Sequence, residues 1–245
     1  MIGFSIIKSL TMGDFINVRR DSMLAMLSFV PIITALFARL AVPPLLTWLL
    51  ATYGLDLTPY AHDFLGYFLA VITPTMFGAV IGFLLLDERD DDTLTALQVT
   101  PLPLNGYLVY RLGLPVLVSL LAAMLVFPLA GIRPPPWPVL ALIALLAALE
   151  APLYALFLAA FSENKVAGLA LMKGLSAITI LPIVAVFIPS SWQLVAGIIP
   201  TYWPLKMFWA AANHEPVWVY FLVGLAVHIG CLILLLKRFN QVMYR

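Results

Sequence analysis

Five of the chain's twelve carboxylates stand in one six-residue run, Asp87-Glu88-Arg89-Asp90-Asp91-Asp92. Carboxylates clustered at a helix end can hold Mg²⁺ and, through it, a diphosphate. They can also meet basic groups on a partner, where complementary charge sets register more than affinity. A third reading is a solvated loop that closes an apolar segment. Metal–diphosphate chemistry pairs two Asp-rich motifs across a cavity, and this chain has one.

Glu150 is the other costly residue. It interrupts the apolar run Leu-Leu-Ala-Ala-Leu-Glu-Ala-Pro-Leu-Tyr-Ala-Leu, residues 145–156. At mid-bilayer a carboxylate costs roughly 2.5–3.5 kcal/mol on the insertion scale. It must therefore face the bundle, a partner or water. Arg111 and His228 are its conceivable partners, and Glu150 with His228 form a candidate translocation path or gate. The bland reading of each is a polar staple between helices. No Ser/His/Asp or Cys/His pairing stands out, and no G-x-x-x-x-G-K-[ST] phosphate loop occurs. The chain cannot be a P-loop ATPase by itself, and we assign it no catalytic, cofactor or metal residue.

The elements that must position these groups follow from composition. The chain is 63% hydrophobic and 10% charged, with a mean hydropathy of +1.05. Apolar runs of about 20 residues cross a bilayer as helices, so the class is an all-α polytopic membrane protein. A net charge of +1 argues against a nucleic-acid partner. The single cysteine, Cys231, says nothing about redox compartment. One transmembrane domain over residues 1–245 is the simplest organisation. Residues 1–21 read as an amphipathic surface helix, with Phe4, Ile7, Phe15 and Val18 on one face and Lys8 and Arg19 away from it. Spans are expected near residues 23–42, 63–86, 106–130, 138–161, 166–188 and 217–236. The stretch after Pro43-Pro44 is too short to span and reads as interfacial. Residues 189–216, broken by Pro200 and Pro204, read as a re-entrant helical hairpin before the last span. Residues 87–103 read as a polar turn followed by a short amphipathic helix, with Leu94 and Leu97 on one stripe, stopped at Thr100-Pro101.

Six spans put both termini on one side. That side collects Lys8, Arg19, Arg20, Arg89, Arg111, Lys165, Lys173, Lys237, Arg238 and Arg245, against Arg39, Arg133 and Lys206 opposite. The positive-inside rule makes the first side cytoplasmic. The six tryptophans all fall on the other face, at headgroup level.

The segment Leu84–Leu117 resembles the region between the second and third spans of type-2 ATP-binding cassette (ABC) permeases, in an ordered set: Glu88, Thr93-Leu94, Thr100-Pro101, Tyr107 and Arg111. The stretch Phe161–Gly174, through Asn164, Lys165, Gly168 and Lys173, is similar to that class's loop between spans four and five. The entry Val18–Leu24 and the broken hairpin fit as well. The family often has a small residue before Thr-Leu where this chain has Asp92. The resemblance implies an exporter permease in a bacterial plasma (inner) membrane, with N- and C-termini cytoplasmic and a hydrophobic or amphipathic cargo (drug-like, lipid-like or peptide). It implies ABC ATPase subunits and a second permease chain as partners, in contact with membrane lipid. ATP and Mg²⁺ are then expected on the ATPase. The ATPase-coupling residues would be Glu88, Asp90, Asp91, Asp92, Thr93, Leu94, Leu97, Asn164 and Lys165. Two alternatives remain open here: a membrane-embedded, Mg-dependent prenyltransferase-like enzyme, and a proton-coupled carrier using Glu150.

Overall fold

The computed structural model describes residues 4–91, 104–186, 188 and 190–243. The described residues form an all-α bundle in which six helices are long and apolar enough to cross a membrane. The N-terminal helix α1 (Phe4–Arg20) ends in Arg19 and Arg20, whose charge suits a helix C-terminus. Asp21 then opens α2 (Ser22–Leu40): its Oδ1 accepts from Met23 N at 2.9 Å and Leu24 N at 3.1 Å. Helix α3 (Val42–Tyr53) has proline in its first turn, buries no residue, and stops at Gly54, whose φ of 68° is left-handed.

Helix α4 (Thr58–Asp90) is the axis of the bundle. Its 33 residues make a rod of about 50 Å at 1.5 Å per residue. Its most apolar stretch is 89% buried, so it lies inside the other spans. Helix α5 (Leu104–Leu129) follows. The fourth span is α6 (Trp137–Ala148) continued by α7 (Glu150–Phe161). The break at Leu149 has a cause: Pro152 has no N–H for the Ala148 carbonyl. The fifth span is broken in the same way into α8 (Lys165–Ile178) and α9 (Ile180–Val186), because Pro182 cannot bond the Ile178 carbonyl. A 3₁₀ segment (Ser191–Ile198) and α10 (Tyr202–Ala212) precede the last span, α11 (Trp218–Met243). Helix α10 is core: Tyr202, Met207 and Phe208 are almost wholly buried.

The closest contact is between α4 and α7. A Cβ on Gly78 would lie 2.4 Å from Ala151 O and 2.8 Å from Tyr154 Cβ. One turn on, a Cβ on Gly82 would lie 3.0 Å from Leu158 Cβ and 3.2 Å from Ala155 Cα. The Gly-Ala-Val-Ile-Gly sequence thus works as a small-x-x-x-small surface that lets two backbones meet. This contact fixes the height at which Glu150, just before Ala151, stands against its neighbours.

One feature differs from the sequence reading. Span two was expected to close near Leu86, yet α4 runs on to Asp90 with Asp91 as its cap. Carboxylates are unfavourable in a last helical turn. Here Asp87 is paired with Lys165 and Glu88 with Arg111, which removes the penalty and lets the helix continue. On α1 the residues turned to the bundle are Leu10, Asp14 and Val18, at i, i+4 and i+8, while Phe15, on the stripe expected to face the membrane surface, is 62% exposed. Asp14 draws that stripe inward by pairing with Arg111.

Candidate functional site

At the end of the bundle where α4 closes, two ionic clusters form around its consecutive residues Asp87 and Glu88. Arg111 on α5 is the hub of the first, with a side chain only 2% exposed. Its Nη1 stands 2.6 Å from Asp14 Oδ1 as an ion pair, and its Nη2 pairs with Glu88 Oε1. Its Nε donates to Tyr107 Oη at 2.8 Å, and the Tyr107 hydroxyl donates in turn to Glu88 Oε2. One helical turn along, the Tyr110 hydroxyl donates to Asp14 Oδ2 at 2.7 Å. Tyr107 and Arg111 are four residues apart and so share a face of α5. Helices α1, α4 and α5 are bound together by this one guanidinium.

Lys165, the first residue of α8, holds the second cluster. Its Nζ lies 2.7 Å from Asp21 Oδ2 and 2.9 Å from Asp87 Oδ2. Asp21 therefore works with both oxygens, one capping α2 and one meeting Lys165. The Lys165 hydrogen bond, with the backbone N–H groups of α2, holds the Asp21 carboxyl below its ordinary value. Asn164 caps α8 by accepting from Ala167 N at 3.0 Å. Next to the clusters, Arg89 donates to three carbonyls at and just past the end of α7: Ala159 (3.2 Å), Ser162 (2.9 Å) and Glu163 (2.7 Å). These are carbonyls a helix C-terminus leaves free. Asp90 is half-exposed and Asp91 exposed. Asp92, Thr93, Leu94 and Leu97 lie outside the described residues.

The second candidate site is midway along the bundle. Glu150 (3% exposed) and His228 (1% exposed) meet across α7 and α11, with Nε2 and Oε1 3.1 Å apart. The Gly224 carbonyl lies 2.7 Å from His228 Nδ1. An Nδ1–H donated there leaves Nε2 an acceptor facing Glu150, and one proton shared by the pair completes the contact: on the ring, Nε2–H donates to the carboxylate, and on the carboxyl, its O–H donates to Nε2. Glu150 also lines a cavity of ≈ 340 Å³ whose other walls are almost entirely apolar.

Comparison with known proteins gives the chain a family. A family model described as "Fluoroquinolones export permease protein Rv2686c-like" matches residues 14–236. The chain belongs to this family of export permeases. It is 34% identical over 230 residues to the fluoroquinolones export permease protein Rv2686c of Mycobacterium tuberculosis (strain ATCC 25618 / H37Rv), covering 93% of this chain and 91% of the relative. The same figures hold for the fluoroquinolones export permease protein MT2760 of Mycobacterium tuberculosis (strain CDC 1551 / Oshkosh). No solved structure matches it. The resemblance to ABC exporter permeases thus holds at family level.

The permease brings Glu150 and His228 together and takes Arg111 elsewhere, to Glu88 and Asp14. Reading the sequence missed Asp14, Asp21 and Asp87 as partners of the basic residues. A signal was present: Asp14 interrupts an apolar run, and Asp21 directly precedes Ser22 at a helix start. Thr201 gave no signal, yet it is buried beside Glu150's cavity. Among the described residues, no three His, Cys, Asp or Glu side chains converge as a metal site.

Proposed function

We propose that this permease is the membrane-spanning subunit of an ABC exporter that moves an amphipathic, drug-like cargo using ATP hydrolysed on separate ATPase subunits. The observation that carries this is the ionic tie at the end of α4, where Glu88 and Asp87 are joined through Arg111 and Lys165 to α1, α5, α8 and the cap of α2. A push on this end is transmitted to five elements at once. The chain's own sequence has no phosphate loop to generate such a push. Asp90 and Asp91, together with Asp92, Thr93, Leu94 and Leu97, would present the contact surface to the ATPase. Asn164 and Lys165 would hold the adjoining loop. Two permease chains pair, in a bacterial inner membrane, with both termini on the ATPase side. The relatives' names point to fluoroquinolones as the first cargo to try.

The test is copurification of the tagged chain followed by mass analysis of its partners, then ATP-driven fluoroquinolone uptake into inverted vesicles. No bound ATPase and no ATP-dependent uptake would end the proposal. Single cysteines at Ser9 and Gln241, in a Cys231→Ser background, should resist impermeant thiol reagents in intact cells; labelling of either reverses the orientation. The buried Glu150–His228 pair favours one second reading, a carrier driven by protons. Uptake driven by ΔpH in vesicles without ATP would select it.

A further inference from the structure

We infer that the cavity beside Glu150 is a binding site for an amphipathic organic cation, one ammonium group on an apolar body. This rests on the exporter reading for its purpose but not for its evidence.

The cavity lies between α7, the break in the fifth span, the turn at Ile198–Thr201 and α11. Its ≈ 340 Å³ falls within the ~300–1,000 Å³ of small-molecule sites. Leu153, Phe157, Leu175, Leu234 and Leu235 supply apolar wall. The one charged lining group is a carboxylate, and the Tyr154, Thr179 and Thr201 hydroxyls line the wall with it. Glu150 Oε1 faces His228, while Oε2 has no hydrogen-bond donor among the described residues. Thr201 is 2% exposed and its hydroxyl completes no hydrogen bond, with the Tyr67 hydroxyl, itself donating to Thr179 O at 2.9 Å, standing beside it as its one neighbouring acceptor. A buried, unpartnered hydroxyl at a cavity wall marks a place for a ligand polar group.

The backbone adds hydrogen-bond acceptors. Helix α8 ends at Ile178–Thr179 and the 3₁₀ segment at Ile198–Ile199, all four residues lining the cavity. Helix C-termini carry partial negative charge. The Ile178 carbonyl is denied its intrahelical donor by Pro182. The N-termini of α7, α9 and α10 open at the same place, so the helix ends do not set the sign; the charge that faces the cavity is the Glu150 carboxylate, and no Lys or Arg is among the lining residues. Glu150 sits in the first turn of α7, where a carboxylate is favoured. An ammonium donates three hydrogen bonds. It matches Glu150 Oε2, the Thr201 hydroxyl and a free carbonyl, while its apolar body fills the rest. A neutral hydroxyl of the same shape donates a single hydrogen bond and brings no charge, and an anion is repelled by the carboxylate.

Cys231 lines the cavity and is the chain's one cysteine, so it reports occupancy without engineering. The test uses the full permease in lipid nanodiscs, without ATPase or nucleotide, and follows N-ethylmaleimide alkylation of Cys231 by intact mass. The probes are 1-naphthylmethylammonium and its neutral isostere, 1-naphthylmethanol. The cation should slow alkylation at concentrations at least about tenfold below those the alcohol needs, the scale of one charged hydrogen bond. Glu150→Gln should abolish that preference, with protection judged against the variant's own unprotected rate. Equal protection by both probes, or a preference that survives in Glu150→Gln, overturns the site. If Glu150→Gln does not fold, Thr201→Val decides: cation binding weakened about threefold or more supports the site, and unchanged binding overturns it. Loss of ATP-driven efflux with the cation preference intact would instead sink the exporter reading and leave the site standing.

Discussion

Arg111 Nη1 and Asp14 Oδ1 stand 2.6 Å apart, joining a residue inside the third span to the helix that precedes the first. The guanidinium is almost completely buried and also holds Glu88. Breaking a buried ion pair from one side leaves the other charge uncompensated.

Arg111→Met should therefore destabilise the permease by about 3–5 kcal/mol. Adding Glu88→Gln and Asp14→Asn should recover part of that loss, because the orphaned charges go with it. Thermal unfolding of purified single and triple variants checks this. A triple variant no more stable than Arg111→Met would mean that Arg111 acts by packing alone.

Lys165→Met tests the second cluster and has a pH signature. The Asp21 carboxyl is held below its ordinary value of 3.8, first by Lys165. A depressed carboxylate gives stability that is present above its unfolded value and is lost as pH falls through the folded one. The stability gap between wild type and Lys165→Met should thus be full at neutral pH and shrink below about pH 4. Both side chains are partly exposed, so the gap should be about 1 kcal/mol or less and fall with salt. A gap that widens in acid would contradict the pairing.

Gly78→Ala should cost about 1–3 kcal/mol, since the new methyl meets Ala151 backbone and forces α4 from α7. Gly113→Ala, with open space around it, should cost far less and gain helix propensity. Comparing the two melting transitions is enough. Similar costs would show that the close approach is absent.

The acids of the 87–92 run should separate into two kinds. Glu88→Lys should lower the thermal stability of the permease itself, because it faces Arg111. Asp90→Lys with Asp91→Lys should leave stability unchanged, as both are open to solvent, and should weaken copurification with the ATPase. Pull-down and melting, measured side by side, distinguish them. If the exposed pair binds normally, these residues merely end a helix.

Hydropathy is a property of a local window, and so the sequence alone determined the all-α class and the number of apolar spans. It also showed that Glu150 is expensive, because a carboxylate inside an apolar run costs free energy whatever surrounds it. Membership of a permease class was legible in short motifs, since each is contiguous. Pairing is different. Glu150 and His228 are 78 residues apart, and Arg111 and Glu88 are 23 apart. Arg111 and His228 were equally reasonable partners for Glu150 on charge. Which of them reaches it depends on the height and rotation of each helix, and those are set by contacts such as Gly78 on Ala151. The length of α4 was also a tertiary outcome: its acidic last turn is unfavourable in isolation and stands because Lys165 and Arg111 come from other elements. The cavity likewise exists only once four separate segments close around Glu150.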